Sequence, residues 1–307
     1  MRSSVAGYVI AGLGLGTAIG VGLGALVIAP HTPGFGGTPE SGWTMENPEA
    51  SQPKAKPEKV DAPVDERVQR AQRANEEMVA MLGAAAVKDE LKNRPVITLT
   101  APGAPGVQET RELLQGTEAI DAGTIELTSK FFEQKHAEEL SSVVGEAIKD
   151  SEKLDTPQKK LGALLGTALM LNPESGEPLV SVDERAQVLQ GLRQAGFIMY
   201  EDDTIRPAQG VVLFAEGGGQ FAADVAADTA RGIKSTGNAV VIAGGNGAEQ
   251  VDAVGVLRGS DAAVSTVDNV DQKAGQVAVV LSLAEQMRKK HGHYGVGESA
   301  QSVAPGQ

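Results

Sequence analysis

The sequence predicts an α/β protein in which a single N-terminal transmembrane helix, a Pro-rich linker and a coiled-coil helix lead into a three-layer, Rossmann-like domain with a parallel sheet. Three observations carry that expectation. Short Val- and Ile-rich runs alternate with helix-period segments through the second half of the 307 residues, the pattern of parallel strands covered on both faces. A run of 25 residues near the start holds no charge. After it, apolar positions recur by fours and threes, the spacing of a heptad seam.

In chain order, residues 1–4 are read as a cytoplasmic tip and Val5 to Ala29 as the transmembrane helix. At about 1.5 Å per residue such a helix spans roughly 37 Å, enough for a hydrocarbon layer of about 30 Å. A cleaved signal peptide has a shorter apolar stretch, about 7–15 residues. The amino terminus and Arg2 are the only charges before the segment, which places the N-terminus in the cytoplasm and the C-terminal domain outside. Gly12, Gly16, Gly20 and Gly24 recur every four residues and share one face, with Gly14, Ala18 and Gly22 beside it. Small faces let two membrane helices approach closely, so this face is expected to pair. Residues 30–63 hold seven of the 15 prolines and no periodic apolar pattern, the composition of a linker. Trp43 is the large aromatic in its middle and suggests no definable role.

Residues 64–92 are expected to form the coiled-coil helix. Its seam is Val64, Val68, Ala71, Asn75, Met78, Leu82 and Ala85, and it implies a homodimer. Asp61 can cap the helix and Pro63 suits its first turn. Glu66 with Arg70, and Arg73 with Glu77, are outward i,i+4 pairs. Asn75 sits at a core position, where a polar residue fixes register in a two-stranded coil. The other reading of the same spacing is one amphipathic helix packed on its own domain. Pro95 keeps Arg94 out of the helical region, so the helix should stop by Asn93.

The α/β domain is expected over residues 93–290. Its strands read as Val96–Thr100, Thr124–Thr128, Val211–Ala215, Ala239–Ala243 and Ala263–Val267. Helical patterns lie between them at Val107–Gln115, His136–Ser151, Pro157–Leu171, Asp183–Ala195, Gln220–Lys234 and Glu249–Arg258, with a final one at Asp271–Lys290. Thr156 and Asp183 look like N-caps. Residues 291–307, rich in Gly and Ser, read as a flexible tail.

Composition excludes several functions. With 27 Lys and Arg against 40 Asp and Glu the net charge is -13, which disfavours a nucleic-acid partner. There is no Cys and only four His, so a disulfide framework, a thiol nucleophile and a His-rich metal centre are not expected. Gly217–Gly219 and Gly244–Gly247 each join a strand to a helix, as in dinucleotide sites, yet neither spells a phosphate-binding motif and neither turn holds a Lys or Arg. They read as tight turns. Ser265 at a strand end lacks a nearby base outside the tail, and Asp268 and Asn269 read as caps of the last helix. His291 and His293, with Met287, supply too few ligands for a tight copper site. Met78 and Met81 read as packing. No catalytic residue, cofactor or metal site is expected, and the chain reads as an interaction protein rather than an enzyme.

Three segments resemble the actinobacterial MctB family: AVSTVDNVD (Ala263 to Asp271), AGQVAVVLSLAEQ (Ala274 to Gln286) and GHYGVGESAQSVAP (Gly292 to Pro305). The less specific AIGVGLG (Ala18 to Gly24) agrees with them. The resemblance is strongest to the corynebacterial SteB branch. It implies a dimeric, membrane-anchored regulator of cell separation at the septum, acting with a SteA-like membrane partner on a peptidoglycan hydrolase. The family name itself implies the alternative, a copper transport or efflux component. The long Pro-rich linker departs from the family and would hold the coil farther from the membrane.

Overall fold

The computed structural model describes residues 66–147, 156–248 and 252–306. The expected transmembrane helix with Gly12, Gly16, Gly20 and Gly24, the linker, and Val64 of the seam lie outside the described residues. Among the described residues no helix is long and apolar enough to cross a membrane.

A seven-stranded sheet organises the molecule, in the order β3-β2-β1-β4-β5-β6-β7. Its strands are β1 (Pro95–Thr100), β2 (Ile120–Leu127), β3 (Ile198–Tyr200), β4 (Gly210–Phe214), β5 (Ala239–Ala243), β6 (Ser265–Val267) and β7 (His293–Tyr294). All neighbours run parallel except β2 and β3. β4 and β5 are buried at every position, which is why they read as unbroken apolar runs.

Helices cover both faces. On one side lie α1 (Glu66–Val87), α2 (Val107–Gly116) and α8 (Lys273–Met287). Their core joins Val87, Leu91 and Leu114 to Val212, Phe214, Val241 and the apolar side of α8. On the other side lie α3 (Ala137–Ala147), α4 (Pro157–Leu169), α5 (Val182–Gln194), α6 (Gln220–Lys234) and α7 (Ala253–Arg258). There Leu161, Leu165, Leu192, Phe197 and Ile233 pack on Ile97, Ile125 and Val211. The mixed α/β class and the mostly parallel sheet agree with the sequence.

Four local expectations are corrected. The sheet is not purely parallel. Gly196 takes φ of 77° after α5 and turns the chain straight back, so the three-residue β3 returns antiparallel beside β2. α5 is capped by Ser181, not Asp183. Ser181 accepts from Glu184 N while the Glu184 carboxylate accepts from Ser181 N, and Asp183 falls in the first turn. Asp268 and Asn269 do not cap α8, whose N-cap is Gln272 without a side-chain bond. The tail is not loose: it supplies β7 and folds back, with Gly295 N donating to Ser302 O at 3.0 Å and Gln301 N to His293 O at 2.8 Å. The domain therefore extends past residue 290.

Candidate functional site

In open α/β sheets, ligands sit beyond the carboxyl ends of the strands where the order reverses. Here that point lies between β1 and β4, and protein fills it. Ala101 N donates to Phe214 O at 2.8 Å, and the loop after β1 then crosses toward β6. A Cβ on Gly103 would lie 2.4 Å from Glu216 Oε2, and one on Gly245 would lie 3.0 Å from Pro105 Cγ. Gly106, at φ of 68°, would bring a Cβ 2.1 Å from Val270 O. The loop thus touches the segments after β4, β5 and β6, and the glycines there serve close approach. Gly217 to Gly219 remain exposed beside it.

The two C-terminal signature segments meet in a clasp. Asp268 and Arg258 form an ion pair at 2.7 Å with side chains only 1% and 3% exposed. Arg258 also donates to Tyr294 O at 2.6 Å, to Thr266 Oγ1 at 3.0 Å and to Ser299 Oγ at 3.2 Å. The Asp268 carboxylate accepts from Val296 N at 2.7 Å and Gly297 N at 3.0 Å. Gly295, at φ of 130°, lies so close that a Cβ would sit 2.0 Å from Asp268 Oδ1. His293 Nδ1 lies 3.1 Å from Thr266 Oγ1, and burial, helped by Arg258, lowers its pKa. Its neighbour His291 is exposed. Tyr294 donates to Glu285, and burial followed by that bond raises the phenol well above its ordinary range. Asp268 and residues 293–297 of the signature segments therefore close the sheet edge, while Ala274 to Gln286 forms most of α8.

Two buried polar groups stand apart. Asp252 caps α7, accepting from Val254 N at 2.7 Å, and burial pushes its carboxyl up to about 6. The Asn269 side chain is fully buried and has no hydrogen-bond partner. Ser265 is buried and accepts from Gln286 Nε2 at 3.1 Å, a structural role. No group of three or more His, Asp and Glu is placed to hold a metal ion among the described residues.

The best exposed candidate is α1. Its inner face, Val79, Gly83 and Val87, is buried. Gly83 permits this close approach, since a Cβ would lie 2.4 Å from Val277 Cγ2 on α8. The expected seam occupies a different face. Val68 is 45% exposed and Met78 54%, with Met81 beside them at 68%. Ala71, Asn75 and Ala85 are exposed and Leu82 half-buried. Met78 and Met81 are thus unpacked within one protomer, with Met78 on the face expected to form the seam. The periodicity contained both patterns: the inner face docks on α8, and the seam is left open to solvent.

The sequence model of one protein family, described as copper transport outer membrane protein MctB, matches residues 7–305. The copper transporter MctB of Mycobacterium tuberculosis is 32% identical over 245 residues, which are 74% of this chain and 77% of its own length. The copper transporter MctB of Mycobacterium leprae is 32% identical over 238 residues, 71% of this chain and 75% of its own.

Proposed function

The chain belongs to the MctB family, and from that premise we propose that it is an envelope protein of copper transport, anchored through residues 5–29 and assembling through α1. The observation that carries the reading is the family match along nearly the whole chain. α1 supports it physically. Thioether sulfur is the soft donor available to a chain without Cys, and Met78 and Met81 lie one turn apart on the exposed side of the helix. Two copies pairing along the seam would bring their Met78 side chains together. The test is a deletion strain carrying either the full chain or its Met78→Leu/Met81→Leu variant. Deletion is expected to reduce growth at elevated copper and raise cell-associated copper. Unchanged tolerance and copper content would overturn the reading. Failure of the Leu variant to complement would assign the thioethers to the metal; full complementation would assign them to packing.

A second reading is favoured by the same open face. A helix docked by one side and apolar on the other suits a dimeric regulator of cell separation that presents a coil to a SteA-like membrane partner and a peptidoglycan hydrolase. Its topology would be an N-terminus in the cytoplasm and the domain outside. The variant Met78→Asp/Leu82→Asp is expected to abolish self-association and leave daughter cells attached. Normal separation by a monomeric variant, with a C-terminal fluorescent fusion spread evenly around the envelope, would remove it.

A further inference from the structure

At the amino-terminal edge of the sheet, opposite the filled crevice, an open pocket of about 410 Å³ lies between the end of α6 and the loop from α7 to β6. Arg231, Lys234, Ser235, Ser260, Asp261 and Ala263 line it. Lys234 is the unusual member. Its Nζ donates to Asn238 O at 3.0 Å and to Gln286 Oε1 at 2.7 Å, both neutral acceptors. Among the described residues no carboxylate lies within ion-pair distance of it, in a protein whose net charge is -13. Burial disfavours its charged form and lowers its pKa. An ammonium has three donors, so one remains for the pocket.

Cations in a last helical turn are often explained by the helix dipole. That accounts for Arg231, which is spent on Asp228 Oδ1 at 2.8 Å, Ser260 Oγ at 3.1 Å and Val256 O at 3.3 Å. It does not account for Lys234, whose bonds lead away from the α6 carbonyls to the start of β5 and to α8. A half-buried charge is costly unless an opposite charge meets it. Asp261, at the exposed rim, is the one carboxylate lining the pocket among the described residues, and solvent screens it.

We propose that this pocket binds a phosphate-type oxyanion, with Lys234 as its counter-ion and donor and the Arg231 charge beside it; the Ser260 hydroxyl donates to Leu257 O at 2.8 Å and takes no part. The volume leaves room for a larger molecule that carries the phosphate.

The test uses the full chain in detergent, with inorganic phosphate and glycerol 1-phosphate as separate probes at constant ionic strength. Binding is followed by phosphorus NMR and by thermal unfolding. Saturable binding is expected, weakened about tenfold or more in Lys234→Met and Lys234→Gln, as for loss of one charge-assisted hydrogen bond. Lys234→Arg should keep it. Tighter binding of glycerol 1-phosphate would support a phosphate borne on a larger molecule, and equal binding would support the free ion. Absence of saturable binding of either probe, or equal affinity in wild type and Lys234→Met, would overturn the proposal.

Discussion

Asp268→Ala tests whether the C-terminal clasp is a structural fastening. The substitution takes the Asp268 carboxylate away from the buried Arg258 guanidinium and the acceptor from Val296 N and Gly297 N. Breaking a buried pair from one side costs about 3–5 kcal/mol. Each orphaned N–H would add about 1–3 kcal/mol if it stayed buried. Residues 292–304 can relieve that second cost by detaching into water, so the expected loss is about 3–5 kcal/mol together with release of the strap. Urea unfolding of the full chain in detergent gives the free energy, and limited proteolysis shows cleavage moving into residues 292–304. The double variant Arg258→Met/Asp268→Leu removes both charges of the pair and is expected to lose less than Asp268→Ala alone. A loss below about 1 kcal/mol with the strap still protected would refute this account of the ion pair.

Gly83→Val should separate α1 from α8, since even a Cβ meets Val277 Cγ2 at 2.4 Å; overpacking of this kind costs about 1–3 kcal/mol, and faster amide exchange confined to α1 would show it. Gly106→Ala should destabilise by about 1–3 kcal/mol through both its φ of 68° and the Val270 carbonyl, measured by thermal unfolding. Asp252 gives a pH dependence. Its carboxyl rises from 3.8 to about 6 on folding, so the native state holds a proton that the unfolded chain releases, and stability is lost as pH climbs through that window. Asp252→Asn keeps the capping acceptor and cannot ionise, so its advantage over wild type should grow by about 1–3 kcal/mol between pH 4 and 7.5; a constant difference in urea midpoints would contradict this.

The buried strands were legible because β4 and β5 are apolar at every position, and α6 was legible to its ends because a strand, a glycine turn and a helical period follow one another without interruption. β3 was not, since three residues with one exposed member carry no period. The tail misled for a different reason. Its Gly and Ser content matches a loose segment, but its order comes from Asp268 and Arg258, and no local pattern reports a partner that distant in sequence. The same holds for Asp268 itself, whose place before a helix suggested a cap. Lys234 marked only the end of a helical pattern, because the absence of a counter-charge is a property of the packed structure.

The two faces of α1 bear on either function. The heptad reading and the single-helix reading competed for the same residues, yet they concern different sides of one cylinder. Val79, Gly83 and Val87 repeat by four and lock the C-terminal half of the helix to α8, while Val68, Ala71, Asn75, Met78 and Ala85 face solvent and Leu82 is half-buried. Because the docked half is rigid with the sheet, pairing along the open seam would fix the orientation of both domains and not merely tether them. Gly83→Val separates these effects: it should leave the seam able to pair while uncoupling the domains from it. If copper tolerance or cell separation needs only the seam, that variant keeps the function; if it needs oriented domains, the function is lost while self-association persists.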